Sequence, residues 1–235
     1  MLLAEETLLL LTDPTTGRPL DSGQRTALAL AGAVLVELVQ GGHVEITAKD
    51  QPKDHPKARP GRVVVTSTAP TGDPVLDDAL RLVASWSRPR RPQEALPGLA
   101  KNLRATLDGR LVAAGVLREV PVRFLGLTWT TSRPAVDPGG PSTALRHRLR
   151  EVVVGSRQPD PRDATLVAVV HSLGRVPAVV GDVGLPRSEV RRRAKAIAAG
   201  DVGGEAVRRA LQAAEGATAA VAASAVAATS AATSG

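Results

Sequence analysis

Ala69-Pro70-Thr71-Gly72-Asp73-Pro74-Val75-Leu76-Asp77-Asp78-Ala79-Leu80 joins a tight turn directly to a helix start. Pro70, Thr71 and Gly72 are turn formers. Asp73 is placed to cap the helix, and Pro74 suits the first helical position, whose N–H has no intrahelical partner. Leu76, Ala79 and Leu80 then fall on one apolar face. The spacing predicts a helix from Pro74 to Ser85. Asp77 and Asp78 lie in its first turn, where acids complement the helix dipole. Neighbouring helix residues point in different directions, so the two aspartates do not form an acid–base couple.

Upstream, Leu2 to Leu11 reads as a short helix that stops at Thr12-Asp13-Pro14. Ser22 or Asp21 caps a longer one from Gln24 to Gln40. Its apolar residues run almost without a break from Ala27 to Val39, the pattern of a central core helix. Gly41-Gly42 ends it. Val44 to Thr47 and Arg62 to Thr66 read as a hairpin around a polar loop.

Downstream, Arg88 to Pro97 reads as a basic, proline-broken linker. A helix is expected from Leu99 to Ala114, followed by a second hairpin over Val116 to Thr130 with Pro121 near its turn. Further helices are expected over Thr143–Val154, Asp163–Leu173, Arg187–Ala199 and Glu205–Ala214. From Ala217 onward the chain holds only Ala, Val, Ser and Thr before its terminal Gly. Such a terminus is expected to fray. The expected fold is mainly α: a central helical bundle with surrounding amphipathic helices and two small β-hairpins. It divides into a domain over residues 1–212 and an Ala-rich tail over 213–235.

The 235 residues are 43% hydrophobic, enough for a core, yet they hold only two Trp, one Phe and no Tyr. Leu, Val, Ala and Ile must fill that core. Cysteine is absent, which removes disulfides, thiolate metal sites and a cysteine nucleophile. The start of the chain lacks the basic region of a signal peptide. No run reaches the ~20 strongly apolar residues of a transmembrane helix. The net charge of +7 favours anionic partners: acidic lipid, phosphate or nucleic acid. A merely soluble basic protein is the plainer alternative.

No nucleophile–base pair, P-loop or dinucleotide fingerprint stands out, so no enzymatic role and no cofactor are expected. His43, His55, His147 and His171 show no metal-ligand spacing. The basic residues carry more information. Lys101 and Arg104 lie three apart on one expected helix, so they share a face and can grip a phosphate, Lys as a point charge and Arg as a fork. Such a pair is more often a solvated helix face. Arg146, Arg148 and Arg150 spread around their helix and make a diffuse field. Arg187, Arg191, Arg192, Arg193 and Lys195 form a third basic helix. The second hairpin puts Leu125, Leu127 and Trp129 on one side and Val122 and Phe124 on the other. Its apolar tip either meets a membrane or another subunit, or covers the core.

Residues 69–80 resemble the A-P-T-G-D-x-x-L-D-E-A-L segment of the Golgi phosphoprotein 3 family. Glu5-Glu6-Thr7-Leu8-Leu9-Leu10 looks like its E-E-x-L-L-L opening. Gly32-Ala33-Val34-Leu35-Val36-Glu37-Leu38 is similar to its G-x-x-L-x-E-L core helix. Leu107 to Leu117 resembles its L-x-x-x-L-V-x-x-G-V-L helix end, and Arg133-Pro134 falls where its hairpin closes. These matches run in order over Met1 to Arg209. The weight of Ala, Arg, Gly and Val is similar to that of high-GC bacterial chains, as in actinobacteria.

The resemblance implies a non-enzymatic peripheral membrane adaptor that binds a phosphoinositide headgroup, phosphatidylinositol 4-phosphate, from the cytoplasmic face. Lys101 and Arg104 match the family's later basic pair. Ala31 stands where the family has an Arg, and no aromatic residue lies near Leu20 to Ser22 where it has a Trp. Arg25 is the nearest cation and stands in for them in this reading. Phe124, Leu125, Leu127 and Trp129 form the membrane or subunit contact, so a homo-oligomer is a possible partner. Two other classes stay open: a nucleic-acid-binding regulator, which the few aromatics argue against, and a structural oligomerisation module.

Overall fold

The computed structural model describes residues 1–47, 60–124, 127–137, 139–202, 211 and 217–223. The fold is mainly α. In chain order the elements are α1 (Leu3–Leu10), α2 (Gly23–Gln40), β1 (Val44–Ile46), β2 (Val63–Val65), α3 (Pro74–Ala84), α4 (Pro92–Leu99) and α5 (Leu103–Ala113). There follow β3 (Val120–Phe124), β4 (Leu127–Ser132), α6 (Pro141–Val154), α7 (Pro161–Ser172), α8 (Val176–Val180) and α9 (Arg187–Ala198).

Two buried helices organise the rest. α1 packs along α2 and also touches α5, α6 and α7; α2 reaches α3, α4, α5 and α7. Every residue of α1 is buried, and so is α2 from Leu28 to Val36. Leu8, Leu10, Leu30, Leu35 and Leu38 are wholly inaccessible. Burying each such Leu contributes about 1.5–3 kcal/mol. A chain with so few rings thus builds its core from aliphatic side chains on helices apolar all round.

A buried helix still has polar ends. The Leu3 N–H donates to both carboxylate oxygens of Glu37 in α2, at 3.1 and 2.9 Å, and Leu2 N–H donates to Glu5 at 2.7 Å. At the other end, Arg146 of α6 donates to the carbonyls of Leu9, Leu10 and Thr12. These contacts satisfy groups the helix itself leaves unpaired. Arg146 therefore closes α1 instead of contributing to a diffuse surface field.

The quoted stretch forms as expected. Asp73 Oδ1 accepts the Val75 N–H at 2.9 Å, and Pro74 opens α3. Asp77 accepts both the N–H and the hydroxyl of Thr71, each at 2.7 Å, which locks the turn. β1 and β2 pair antiparallel, as do β3 and β4.

Four expectations change. Arg88 to Pro97 is not all linker: α4 starts at Pro92, where proline fits the first turn, and carries Pro97 inside. The helix expected over Leu99 to Ala114 begins only at Leu103, as α5: Leu99 is the last residue of α4, and Asn102 takes a left-handed conformation (φ 60°) between the two. Pro121 lies within β3 opposite Thr131, not at the turn; a two-stranded sheet is all edge and tolerates it. The tail does not fray from its start: residues 217–223 are helical, with Ala217, Ala220 and Val221 buried. Gly32 of α2 lets this segment approach, since a Cβ there would stand 2.4 Å from Val221 Cγ2. α8 has no forerunner in the sequence reading, and the helix expected over Glu205 to Ala214 lies outside the described residues except for Leu211.

Candidate anion-binding site

The elbow between α4 and α5 carries both cations singled out in the sequence. Asn102 tolerates positive φ better than most residues, and its turn swings the chain between the two helices. Lys101 consequently lies in the turn, exposed, while Arg104 sits in the first turn of α5, half-buried. They are close in sequence but do not share a helix face. Lys101 lines a groove of about 130 Å³ with Val34, Asp78, Leu82 and Leu99. Arg104 lines a separate, more open cleft of about 370 Å³ with Asn102, Asp108 and Arg133. The positive end of the α5 dipole adds to the potential of both cations.

The cleft has a defined charge arrangement. Asp108 is 5% exposed. Arg133 approaches it at 3.4 Å and Arg104 at 3.7 Å. Burial pushes the Asp108 carboxyl above its ordinary range, and the two guanidinium groups pull the other way without cancelling it. Arg133 is held from outside by Glu119, which accepts from Nε at 3.1 Å and from Nη2 at 2.9 Å. Its backbone is pinned as well. The loop at Gly17 (φ 68°) lies so close that a Cβ there would stand 2.5 Å from Arg133 N.

The Asp73 cap has a second role. Arg110 of α5 donates from Nη1 and Nη2 to the two Asp73 oxygens at 2.7 and 2.8 Å, and from Nε to Glu5 of α1 at 2.8 Å. Burial would raise the Asp73 carboxyl, but the Arg110 fork and the Val75 N–H hold it below its ordinary value. Three stretches picked out in the sequence therefore meet at one guanidinium: the Glu5-Glu6 opening, the Asp73 turn and the helix over Leu107 to Leu117. The Golgi phosphoprotein 3 (GPP34) family model matches residues 3–214 and so spans all three. The chain belongs to this family. No curated protein matches the chain.

Other residues proposed from the sequence lie elsewhere in this GPP34-family chain. Arg25 donates to the Leu173 carbonyl at 3.0 Å and pairs with Asp21 at 3.5 Å; it lines neither cleft. Ala31, at the family's Arg position, is fully buried. Phe124 and Leu127 are the last register pair of the β3–β4 hairpin, and Trp129 stands at the register shift between Val122 and Arg123. Leu125 lies outside the described residues.

Much of the arginine excess is internal. Arg148 meets the wholly buried Asp163 at 2.6 Å, and Arg162 meets Glu6 at 2.6 Å. In α9, Arg192 and Arg193 both bind Glu189, whose pKa falls to about 2 through those hydrogen bonds. That expected basic face is thus partly neutralised. Among the described residues no group of three His, Asp or Glu could hold a metal, and no helix is long and apolar enough to cross a membrane.

Sequence reasoning missed Arg133 and Asp108 as site residues. Arg133 served only as a marker of the hairpin's end. Asp108 carried one legible signal, its i,i+4 spacing from Arg104. Its pairing with Arg133 joins elements 25 positions apart and needed the fold.

Proposed function

We propose that this chain is a peripheral membrane adaptor that binds an anionic lipid headgroup, phosphatidylinositol 4-phosphate in the first instance, through Lys101 and Arg104. The family match over residues 3–214 carries the adaptor part of this reading. Two cations on either side of the Asn102 turn, at the positive end of α5, support the headgroup part. Arg25 would join them only by leaving Asp21 and Leu173, so the proposal rests on the other two. Phe124, Leu125, Leu127 and Trp129 would supply apolar contact with the membrane or a second subunit. The protein would then attach to the inner face of a membrane. Each basic residue at an anionic surface contributes about 1 kcal/mol, enough together for reversible attachment.

Co-sedimentation with phosphatidylcholine vesicles, with and without phosphatidylinositol 4-phosphate, tests this. The wild type is expected to pellet only with the anionic lipid, and the double variant Lys101→Glu, Arg104→Glu to stay in solution. Equal pelleting of the two proteins would remove the site assignment.

A further inference from the structure

We propose that the Arg104–Asp108–Arg133 cleft is a phosphate-monoester site in which Asp108 is an internal counterion that the ligand displaces. This rests on the headgroup reading only for the identity of its natural ligand; Arg133 and Asp108 are additions to it.

Asp108 carries the argument. Its side chain is 8% exposed, and the groups that meet it are the guanidinium groups of Arg104 and Arg133. Its two ion-pair contacts, 3.4 and 3.7 Å, are longer than good charge-assisted hydrogen bonds. A buried carboxylate is ordinarily hydrogen-bonded closely, because unpaired burial is unfavourable. Here the anion is present and two forks face it, yet neither closes on it. Arg104 makes no hydrogen bond to any other described residue, so its donors remain available. Arg133 commits Nε and Nη2 to Glu119 and leaves Nη1 towards Asp108.

A phosphate monoester suits this arrangement better than the resident carboxylate. It carries three strong acceptor oxygens and close to two charges, and two guanidinium forks can share them. The cleft, at about 370 Å³, admits a phosphate with its attached alcohol. Lys101 opens on the other groove, so the phosphate would be held by two arginines, one of them from the hairpin base.

Displacing Asp108 from its cations favours its neutral form. The charged groups facing it are Arg104 on α5, Arg133 after β4 and Glu119 before β3. Asp108→Asn is thus expected to bind phosphate more tightly than wild type at neutral pH. That advantage vanishes as pH falls into the carboxylate range. Taking the ratio of the two proteins cancels the titration of the phosphate itself.

Calorimetric titration of the full chain uses two soluble probes, inorganic phosphate and glycerophosphoinositol 4-phosphate, beside vesicles containing phosphatidylinositol 4-phosphate. Binding of the soluble probes is expected to fall tenfold or more in Arg133→Gln and to rise severalfold in Asp108→Asn. Binding of the glycerol-linked probe well above inorganic phosphate marks a lipid headgroup as the source; the reverse order marks free phosphate, and either supports the site. Should Asp108→Asn fail to fold, Arg133→Gln decides alone. Wild-type affinity in Arg133→Gln, or no soluble binding by wild type, overturns this inference. Vesicle binding that ignores Lys101 and Arg104, while Arg133→Gln still abolishes phosphate binding, overturns the headgroup reading and leaves the cleft standing.

Discussion

At the scale of single residues, charge in this protein mostly does structural work. Asp73 caps α3 and also holds the Arg110 fork that reaches Glu5. Asp73→Ala removes a cap and leaves a half-buried guanidinium one partner short, so it is expected to destabilise the fold by about 2–3 kcal/mol. The pH dependence follows from the direction of its shift. A carboxyl held below its ordinary 3.8 stabilises the fold fully above that value and loses the contribution as pH falls through the folded value. The gap in urea midpoint between wild type and Asp73→Ala should therefore be full at neutral pH and shrink as pH falls below 3.8 through the folded value. A gap that persists there would assign the effect to the cap's shape. Arg146 offers a second case. Burial lowers its pKa, yet it bridges the carbonyls of Leu9, Leu10 and Thr12 to that of Val179. A point ammonium cannot span acceptors on two segments as a planar fork does. Arg146→Lys and Arg146→Leu are thus both expected to lose about 2–4 kcal/mol in chemical denaturation. Full rescue by Lys would show that charge alone closes α1.

At the scale of elements, what was legible in the sequence was local. α2 announced itself by unbroken apolarity, and α3 by its turn, cap and proline. The elbow at Asn102 was hidden because no glycine or proline marks it, and α4 because its three prolines from 89 to 97 read as breakers although Pro92 starts a helix. The candidate site inherits both errors. Lys101 and Arg104 were visible as residues, but their faces depend on the elbow, and Arg133 arrives through a long-range contact. The tail departs from its expectation for a related reason: low complexity suggests fraying, whereas Ala and Val are small enough to pack on a glycine. Gly32 and Val221 make this testable. Gly32→Ala places a Cβ 2.4 Å from a stiff valine methyl, and is expected to destabilise by about 1–3 kcal/mol although alanine is the better helix former. Adding Val221→Ala should recover part of that loss, a coupling of at least about 0.5 kcal/mol in a double-mutant cycle. Strict additivity would mean that residues 217–223 do not pack on α2.

At the scale of the whole molecule, the net charge of +7 is divided between two roles, and salt separates them. Arg110, Arg146, Arg148, Arg162 and Arg175 tie α1, α2 and α7 to their neighbours through contacts that are at least half-buried on one side. Arg88, Arg91, Lys101, Arg118, Arg187 and Arg191 are exposed and make no ion pair with any described residue. Screening acts on these two sets unequally. The Debye length falls from about 10 Å at 0.1 M to about 3 Å at 1 M, which weakens exposed charges acting over distance and leaves close, partly desolvated pairs less affected. If attachment to an anionic surface uses the exposed set, salt should remove binding before it touches the fold. Raising sodium chloride from about 0.1 to 0.5 M is expected to reduce pelleting with anionic vesicles at least tenfold, with the thermal midpoint shifting by only a few degrees. Binding that survives 0.5 M salt would move the weight of attachment from the arginines to the apolar β3–β4 hairpin. A midpoint that falls in step with binding would mean that the internal pairs are as open to solvent as the surface ones, and that structural and functional charge are not separate sets.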